Sequence, residues 1–255
     1  MRSGIGRWLG VVLCGILGMA AWRAGAGDVL SGEEFLARVR RPAVRPSYAA
    51  MSGESRHVRR GREATVSALY LGIMFNSERT LAQLVIGDRE GYFVGQAYAA
   101  GTDGCSVIPV NKTGYPDSLL ANYGLRPQDL TLAFIYWTLE KELPEESLMT
   151  LNCRVFLLRS PDGKEQVRTY LSSKYFFPLK AEWFAGDDTA YETPVRTLEV
   201  SSFRKQDDFW LVKNLKLYGP GWLTQINFGD TEAGWIDEEN PPRIFKELPG
   251  VAAGE

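Results

Sequence analysis

Apolar and polar residues alternate at a spacing of two through most of this chain, and turn-forming residues punctuate the alternation. Between Tyr175 and Asp230 four such runs are separated at Gly186-Asp187-Asp188, Gln206-Asp207-Asp208 and Gly219-Pro220-Gly221. That pattern predicts the strands of an antiparallel meander. An earlier meander is predicted from EATVSALYLGIMF, RTLAQLVIGD, GYFVGQAYA and CSVIPVN, with Gly-Asp-Arg-Glu-Gly and Gly-Thr-Asp-Gly as turns. SLMTLNCRVFLLRS and EQVRTYLSS, joined by Pro161-Asp162-Gly163-Lys164, add a hairpin. The tally is about ten antiparallel strands.

Two stretches have helical spacing. In SGEEFLARVRR, Ser31 and Glu34 have the spacing of a capping box, and Phe35, Leu36 and Val39 form one apolar stripe. LRPQDLTLAFIYWTLEKELPEE predicts a helix over about residues 127–141: Pro127 suits a first turn, Asp129 the opening turn, and Pro144 lies just beyond the end. Leu130, Leu132, Phe134, Ile135, Tyr136, Trp137 and Leu139 spread around most of its circumference, so it needs cover on several sides. It reads either as a core helix pressed on the sheet or as a lid over an apolar cavity. The stretch between the first helix and EATVSALYLGIMF, which contains Pro, Arg and Ser, reads as a link.

The first residues bear on compartment. Arg2 and Arg7 precede an apolar run from Trp8 to Ala21, and Ala24-Gly25-Ala26 offers small residues for cleavage. Residues 1–26 are therefore expected to be a secretory signal peptide, with 27–255 as one exported, periplasmic domain. An uncleaved inner-membrane anchor is the alternative, although the run is short for a span. Cys14 does not end a lipid-attachment motif, because Leu13 is too large at the position before it. Loss of residues 1–26 removes Arg2, Arg7 and Arg23 and no acid, leaving 26 basic against 31 acidic residues, so nucleic acid is not an expected partner. Arg56, Arg59, Arg60 and Arg62 nevertheless cluster. They suggest transient contact with an anionic membrane surface or an acidic protein face, or simple solvation of a loop. Cys105 and Cys153 are the two cysteines left, and in an oxidising compartment they are either a disulfide or two buried thiols.

No catalytic pattern stands out. His57, the one histidine, lies in the basic run Arg56-His57-Val58-Arg59-Arg60 and reads as solvated or structural. There is no G-x-S-x-G elbow, H-E-x-x-H or C-x-x-C, so neither an enzyme nor a metal or other cofactor is expected. Asp187-Asp188, Asp207-Asp208, Glu145-Glu146 and Glu238-Glu239 fall at turns or termini, where they read as solubilising charge.

TLEVSSFRKQDDFWLVKNLKLY followed by WLTQINFGD, and the ending GWIDEENPPRIFKEL, resemble the closing part of the LolA/LolB-like outer-membrane lipoprotein-sorting proteins. The resemblance covers the mature chain in element order and is carried by about residues 125–248. It implies a mainly β fold with helices (α+β): a half-open antiparallel β-barrel, the inserted apolar helix as lid or plug, and acyl chains or a lipoprotein lipid anchor as cargo. It also implies a monomer with possible envelope protein partners. No position matches the arginine that latches lid to barrel in LolA-type carriers. In such a half-barrel, alternation assigns Leu179, Trp183, Leu198, Val200, Leu215, Leu217, Ile226 and Phe228 to the cavity, with Phe134 and Trp137 from the helix above. Lys180, Glu182, Arg196, Glu199, Asn214 and Lys216 are assigned outward. A different class of function on the same fold is an envelope sensor or structural interaction domain whose cavity is collapsed.

Overall fold

The protein is described by a computed structural model over residues 30–41, 45–87, 89–99, 104–111, 118–186, 193–237, 239 and 241–247. The expected signal peptide and the Asp187-Asp188 pair lie outside these residues. Three short α-helices and twelve strands follow in order. They are α1 (Gly32–Val39), β1 (Ser47–Arg59), β2 (Thr65–Phe75), β3 (Arg79–Ile86), β4 (Glu90–Ala97), β5 (Cys105–Asn111), α2 (Leu119–Asn122) and α3 (Pro127–Leu130). After a 3-10 helix at Ala133–Tyr136 come β6 (Thr138–Leu148), β7 (Leu151–Arg159), β8 (Glu165–Ser172), β9 (Pro178–Ala185), β10 (Arg196–Gln206), β11 (Phe209–Gly219) and β12 (Trp222–Trp235).

All strands form one antiparallel sheet in the order β5-β4-β3-β2-β1-β12-β11-β10-β9-β8-β7-β6. Strands consecutive in sequence pair, except β5 with β6, and β1 pairs with β12 to join the two meanders. The sheet is open, with β5 and β6 as its edges. Both edges are blunted by chemistry that discourages further pairing: Pro109 on β5, and Glu140, Glu142, Pro144 and Glu145 on the largely exposed β6.

The expected count of ten strands is corrected to twelve. β1 was read as a link because, of its inward residues, Met51 alone is large and apolar, whereas Ala49, Gly53, Ser55 and His57 are small or polar and mark no apolar face. β6 was read as the end of a helix because its charges hid the strand. The expected helix over 127–141 is not present as such. α3 stops at Leu130, Leu132 takes a left-handed conformation (φ 56°), one 3-10 turn follows, and Trp137 is already extended. Helix propensity gave little resistance to this break, since Thr131, Phe134, Ile135, Tyr136, Trp137 and Thr138 are all β-branched or aromatic. Helix α1 forms as expected: the Ser31 hydroxyl accepts from the Glu34 N–H, and the Glu34 carboxylate accepts from the Ser31 N–H at 2.8 Å.

Residues 241–247 cover the convex side of β2–β4. Tyr70 donates to the Ile244 carbonyl, Gln83 exchanges two bonds with the Lys246 backbone at 2.7 and 2.8 Å, and Phe245 meets Phe93 edge-on. The concave side holds the main core.

Candidate functional site

Cross-strand register gathers the expected cavity residues on the concave face. Leu198 faces Ala181 and Leu217, Leu215 faces Val200 and Ile226, and Phe228 faces Gly53. Leu179 and Trp183 share that face by alternation about Ala181. All eight strand residues assigned to the cavity are buried. Arg196 belongs there too, which corrects its outward assignment. It lies two residues before Leu198, faces Trp183, and holds its guanidinium 4.1 Å above that indole. Glu182 does sit on the convex face, yet it is buried beneath Arg168, Lys180 and Tyr170, which all bond it.

What covers the concave face is dictated by topology. Because β5 and β6 are opposite sheet edges, the chain between Asn111 and Thr138 must cross the whole mouth. Its described part, 118–137, forms a plug. Leu120, Tyr123, Leu125, Leu130, Leu132, Phe134, Ile135 and Tyr136 are buried, and Phe134 meets Trp183 edge-on at 5.2 Å. Trp137 is half-buried at the plug's end and does not share a helix face with Phe134.

Separate polar contacts tie the plug down. Asp129 takes both Arg196 Nη atoms, at 2.6 and 2.9 Å, in a buried bidentate pair. Arg40, at the end of α1, donates to the carbonyls of Ile135 and Trp137 at 2.6 and 2.7 Å. Arg126 pairs with Glu165 on β8, and burial, which alone would raise the Glu165 pKa, is outweighed by Arg126, which holds it below the usual value. At the start of the plug, buried Glu90 accepts from the Ser118 hydroxyl, from the Leu119 and Leu120 amides and from Tyr92. Burial, and then that carboxylate, push the Tyr92 pKa up to about 12.

The two ends of the sheet differ in chemistry. At one end Met149, Leu151, Tyr175, Phe177, Leu179, Phe203 and Trp210 line an apolar cleft of about 210 Å³. The two-residue β6–β7 turn puts Met149 and Thr150 at φ 49° and 64°, where Asn or Gly is usual, and leaves Met149 52% exposed. Gly219 on β11 is nine residues from Trp210, so the other end lies roughly 30 Å away at about 3.3 Å per residue.

At that far end His57 is buried and stacked on Tyr123, with ring centroids 5.1 Å apart. Arg59 Nε donates to His57 Nε2 at 3.2 Å, and Thr224 Oγ1 donates to the Tyr123 carbonyl. His57 Nδ1, 2.8 Å from the same Thr224 oxygen, must then be the protonated nitrogen. Burial, and next Arg59, lower the His57 pKa. The imidazole is a neutral relay in a chain of bonds, not a solvated group.

No protein-family profile matches this sequence, and no curated protein is similar to it in sequence. Solved structures do match. An outer-membrane lipoprotein-sorting protein domain from Vibrio parahaemolyticus aligns with a TM-score of 0.54 at 13% identity, over 79% of this chain and 91% of that one. A DUF1329-family protein from Desulfovibrio piger aligns with a TM-score of 0.53 at 13% identity, over 78% and 90%. The chain has the fold of lipoprotein-sorting proteins. That agreement bears out the LolA-like fold expected from the closing strands, with a sheet that is open and two strands larger.

Within this sorting-protein fold the expected basic residues take different places. Arg59, Arg60 and Arg62 lie at or next to the β1–β2 turn, and Arg56 is exposed on the convex side. Cys105 and Cys153 are not bridged to each other: they lie on β5 and β7, near opposite edges of the sheet. Sequence reading missed Arg40, Glu90, Arg126 and Asp129 as plug anchors, since their partners are far away in sequence. For Arg196 a signal was present: its parity with Leu198 and Val200 already placed it inward.

Proposed function

We propose that this chain is a periplasmic carrier that shelters acyl chains, or the lipid anchor of a lipoprotein, against the concave face of its sheet, without bond-making chemistry. The observation that carries the reading is the plug. A broad apolar face is covered by an irregular crossing segment, tied down by a few polar contacts that can be released separately. Such cover is displaceable in a way that a second sheet is not. The apolar cleft at the Met149 end offers a mouth, and Leu179 joins it to the buried row. At about 210 Å³ it is smaller than usual ligand sites of about 300–1,000 Å³. Cargo therefore enters further only as plug side chains yield. Each methylene removed from water contributes roughly 0.8 kcal/mol, so about 15 of them supply some 12 kcal/mol before ordering costs.

Binding of a dansyl fatty acid to the delipidated protein tests this, together with mass spectrometry of co-purified lipid. Probe binding that Leu179→Asp weakens while the β-sheet circular dichroism persists is the expected result. A wild type that neither carries lipid nor binds the probe sinks the carrier reading. The second reading, an envelope sensor or interaction module with a permanently filled core, is favoured by the close seating of Phe134 on Trp183. It takes the lead if the probe fails to bind and Phe134→Asp unfolds the domain.

A further inference from the structure

The far end of the sheet carries a second cavity, of about 610 Å³, bounded by the β1–β2 turn, the β3–β4 turn and α2. That volume is ample for a small molecule. Among the described residues that line it are the guanidinium groups of Arg59, Arg62 and Arg89 and the carboxylate of Glu63. The chain as a whole is acidic, with 31 acidic and 29 basic residues, so this concentration is not a sample of a basic surface.

Arg59 is held in place. Its Nε donates to His57, and Nη2 donates to the Asn122 carbonyl at 3.1 Å. Two of its five N–H donors are thereby used, and three remain on a fork held at two points. The support behind it is a run of buried bonds: His57 to Thr224, and Thr224 to the Tyr123 carbonyl. Neutral His57 accepts from Arg59 and so orients it without adding charge. Among the described residues neither Arg59 nor Arg62 pairs with a carboxylate. Arg126 and Arg196, by contrast, are each neutralised bidentately. Tyr123 supplies a flat wall to the same cavity.

The planar forks of Arg59 and Arg62, which no carboxylate among the described residues engages, border a cavity of this size and match the paired oxygens of a phosphoryl group. We propose that this cavity binds a phosphate ester of headgroup size, held by Arg59 and Arg62, with His57 as the positioning residue for Arg59. The site lies at the opposite end of the strands from the apolar cleft and does not depend on acyl binding.

The purified protein is titrated calorimetrically with inorganic phosphate and with glycerol 3-phosphate, and sedimented with phosphatidylcholine vesicles with and without phosphatidylglycerol. Three variants accompany it: Arg59→Gln, Arg62→Gln, and Arg56→Gln as a control on the convex face. Binding that falls tenfold or more in Arg59→Gln or Arg62→Gln, and stays unchanged in Arg56→Gln, supports the site. Soluble phosphates then identify a free ligand, and binding confined to phosphatidylglycerol vesicles identifies a lipid headgroup. No binding to any probe overturns the proposal. So does equal binding by wild type and both cavity variants, or equal weakening by Arg56→Gln, which marks diffuse attraction. Phosphate binding by a protein that takes up no acyl probe leaves this site standing while the carrier reading falls.

Discussion

Replacing Asp129 by Ala leaves Arg196 charged, buried and facing an indole. The pair is bidentate, at 2.6 and 2.9 Å, and among the described residues Arg196 Nε has no hydrogen-bond partner, so Asp129 is the carboxylate that satisfies this guanidinium. Removing one partner of a buried ion pair costs about 3–5 kcal/mol. Asp129 also accepts from the Arg126 N–H at 2.8 Å, which adds about 0.5–1.5 kcal/mol. The expected loss is therefore about 5 kcal/mol, several thousandfold in the folding equilibrium. Urea unfolding followed by tryptophan emission measures it. Asp129→Leu combined with Arg196→Met removes both charges and is expected to recover most of the loss, because well-packed apolar replacements of buried pairs are often neutral.

Location of the effect matters as much as its size. If the pair is a latch, hydrogen exchange in Asp129→Ala rises more in residues 118–137 than in β9–β11. A loss under 1 kcal/mol, or exchange that rises equally in plug and sheet, refutes the latch.

Two further outcomes follow from local geometry. A Cβ built at Gly53 lies 2.0 Å from the Asn227 carbonyl oxygen, beside the bulge at Ser52/Gly53, so Gly53→Ala is expected to cost about 3 kcal/mol in a thermal melt, whereas Gly61→Ala, in open space but at φ 76°, costs less. His57 has a folded pKa below its ordinary 6.5, so as pH falls below about 6.5 the unfolded chain binds the proton first and stability drops, by at most about 1.4 kcal/mol per pH unit. Chemical denaturation between pH 7.5 and about 5, above the range in which carboxylates dominate, is expected to show that slope in the wild type and to lose it in His57→Gln; equal slopes contradict the buried relay.

Legibility in the sequence tracked how far each element depends on its own residues. Ten strands carried their alternation openly, and the Ser31–Glu34 capping box is wholly local. β1 was hidden because its inward positions carry little apolar signal: Gly53 leaves no room for a Cβ beside the Asn227 carbonyl, and Ala49 and Ser55 are small. β6 was hidden because an exposed edge strand is selected for charge, and Glu140, Lys141, Glu142 and Glu145 erased its apolar stripe. The plug defeated periodicity for a third reason. Its side chains are apolar all round because it lies between the sheet and its own turns, and helical spacing cannot be told from irregular burial in so short a run. The anchors Arg40, Asp129 and Arg196 needed partners that only the fold supplies.

Energetics connects the closed form to carriage. Leu130, Leu132, Phe134 and Ile135 each contribute about 1.5–3 kcal/mol by burial, roughly 6–12 kcal/mol together. Emptying the mouth without replacement would therefore use up most or all of a domain's typical 5–15 kcal/mol. An acyl chain of about 15 methylenes returns some 12 kcal/mol to the same face. Exchange of plug for lipid is thus close to balanced, whereas opening without lipid is not. A carrier built this way must be closed when empty, so a filled core does not argue against cargo. What decides between carriage and a permanent core is the polar contacts, because they alone are not replaced by an acyl chain. Releasing Asp129 from Arg196, in the charge-free double variant, should speed uptake of a dansyl fatty acid while leaving stability near that of the wild type. If uptake is unchanged although the pair is gone, the plug is not the gate, and the apolar face belongs to the core alone.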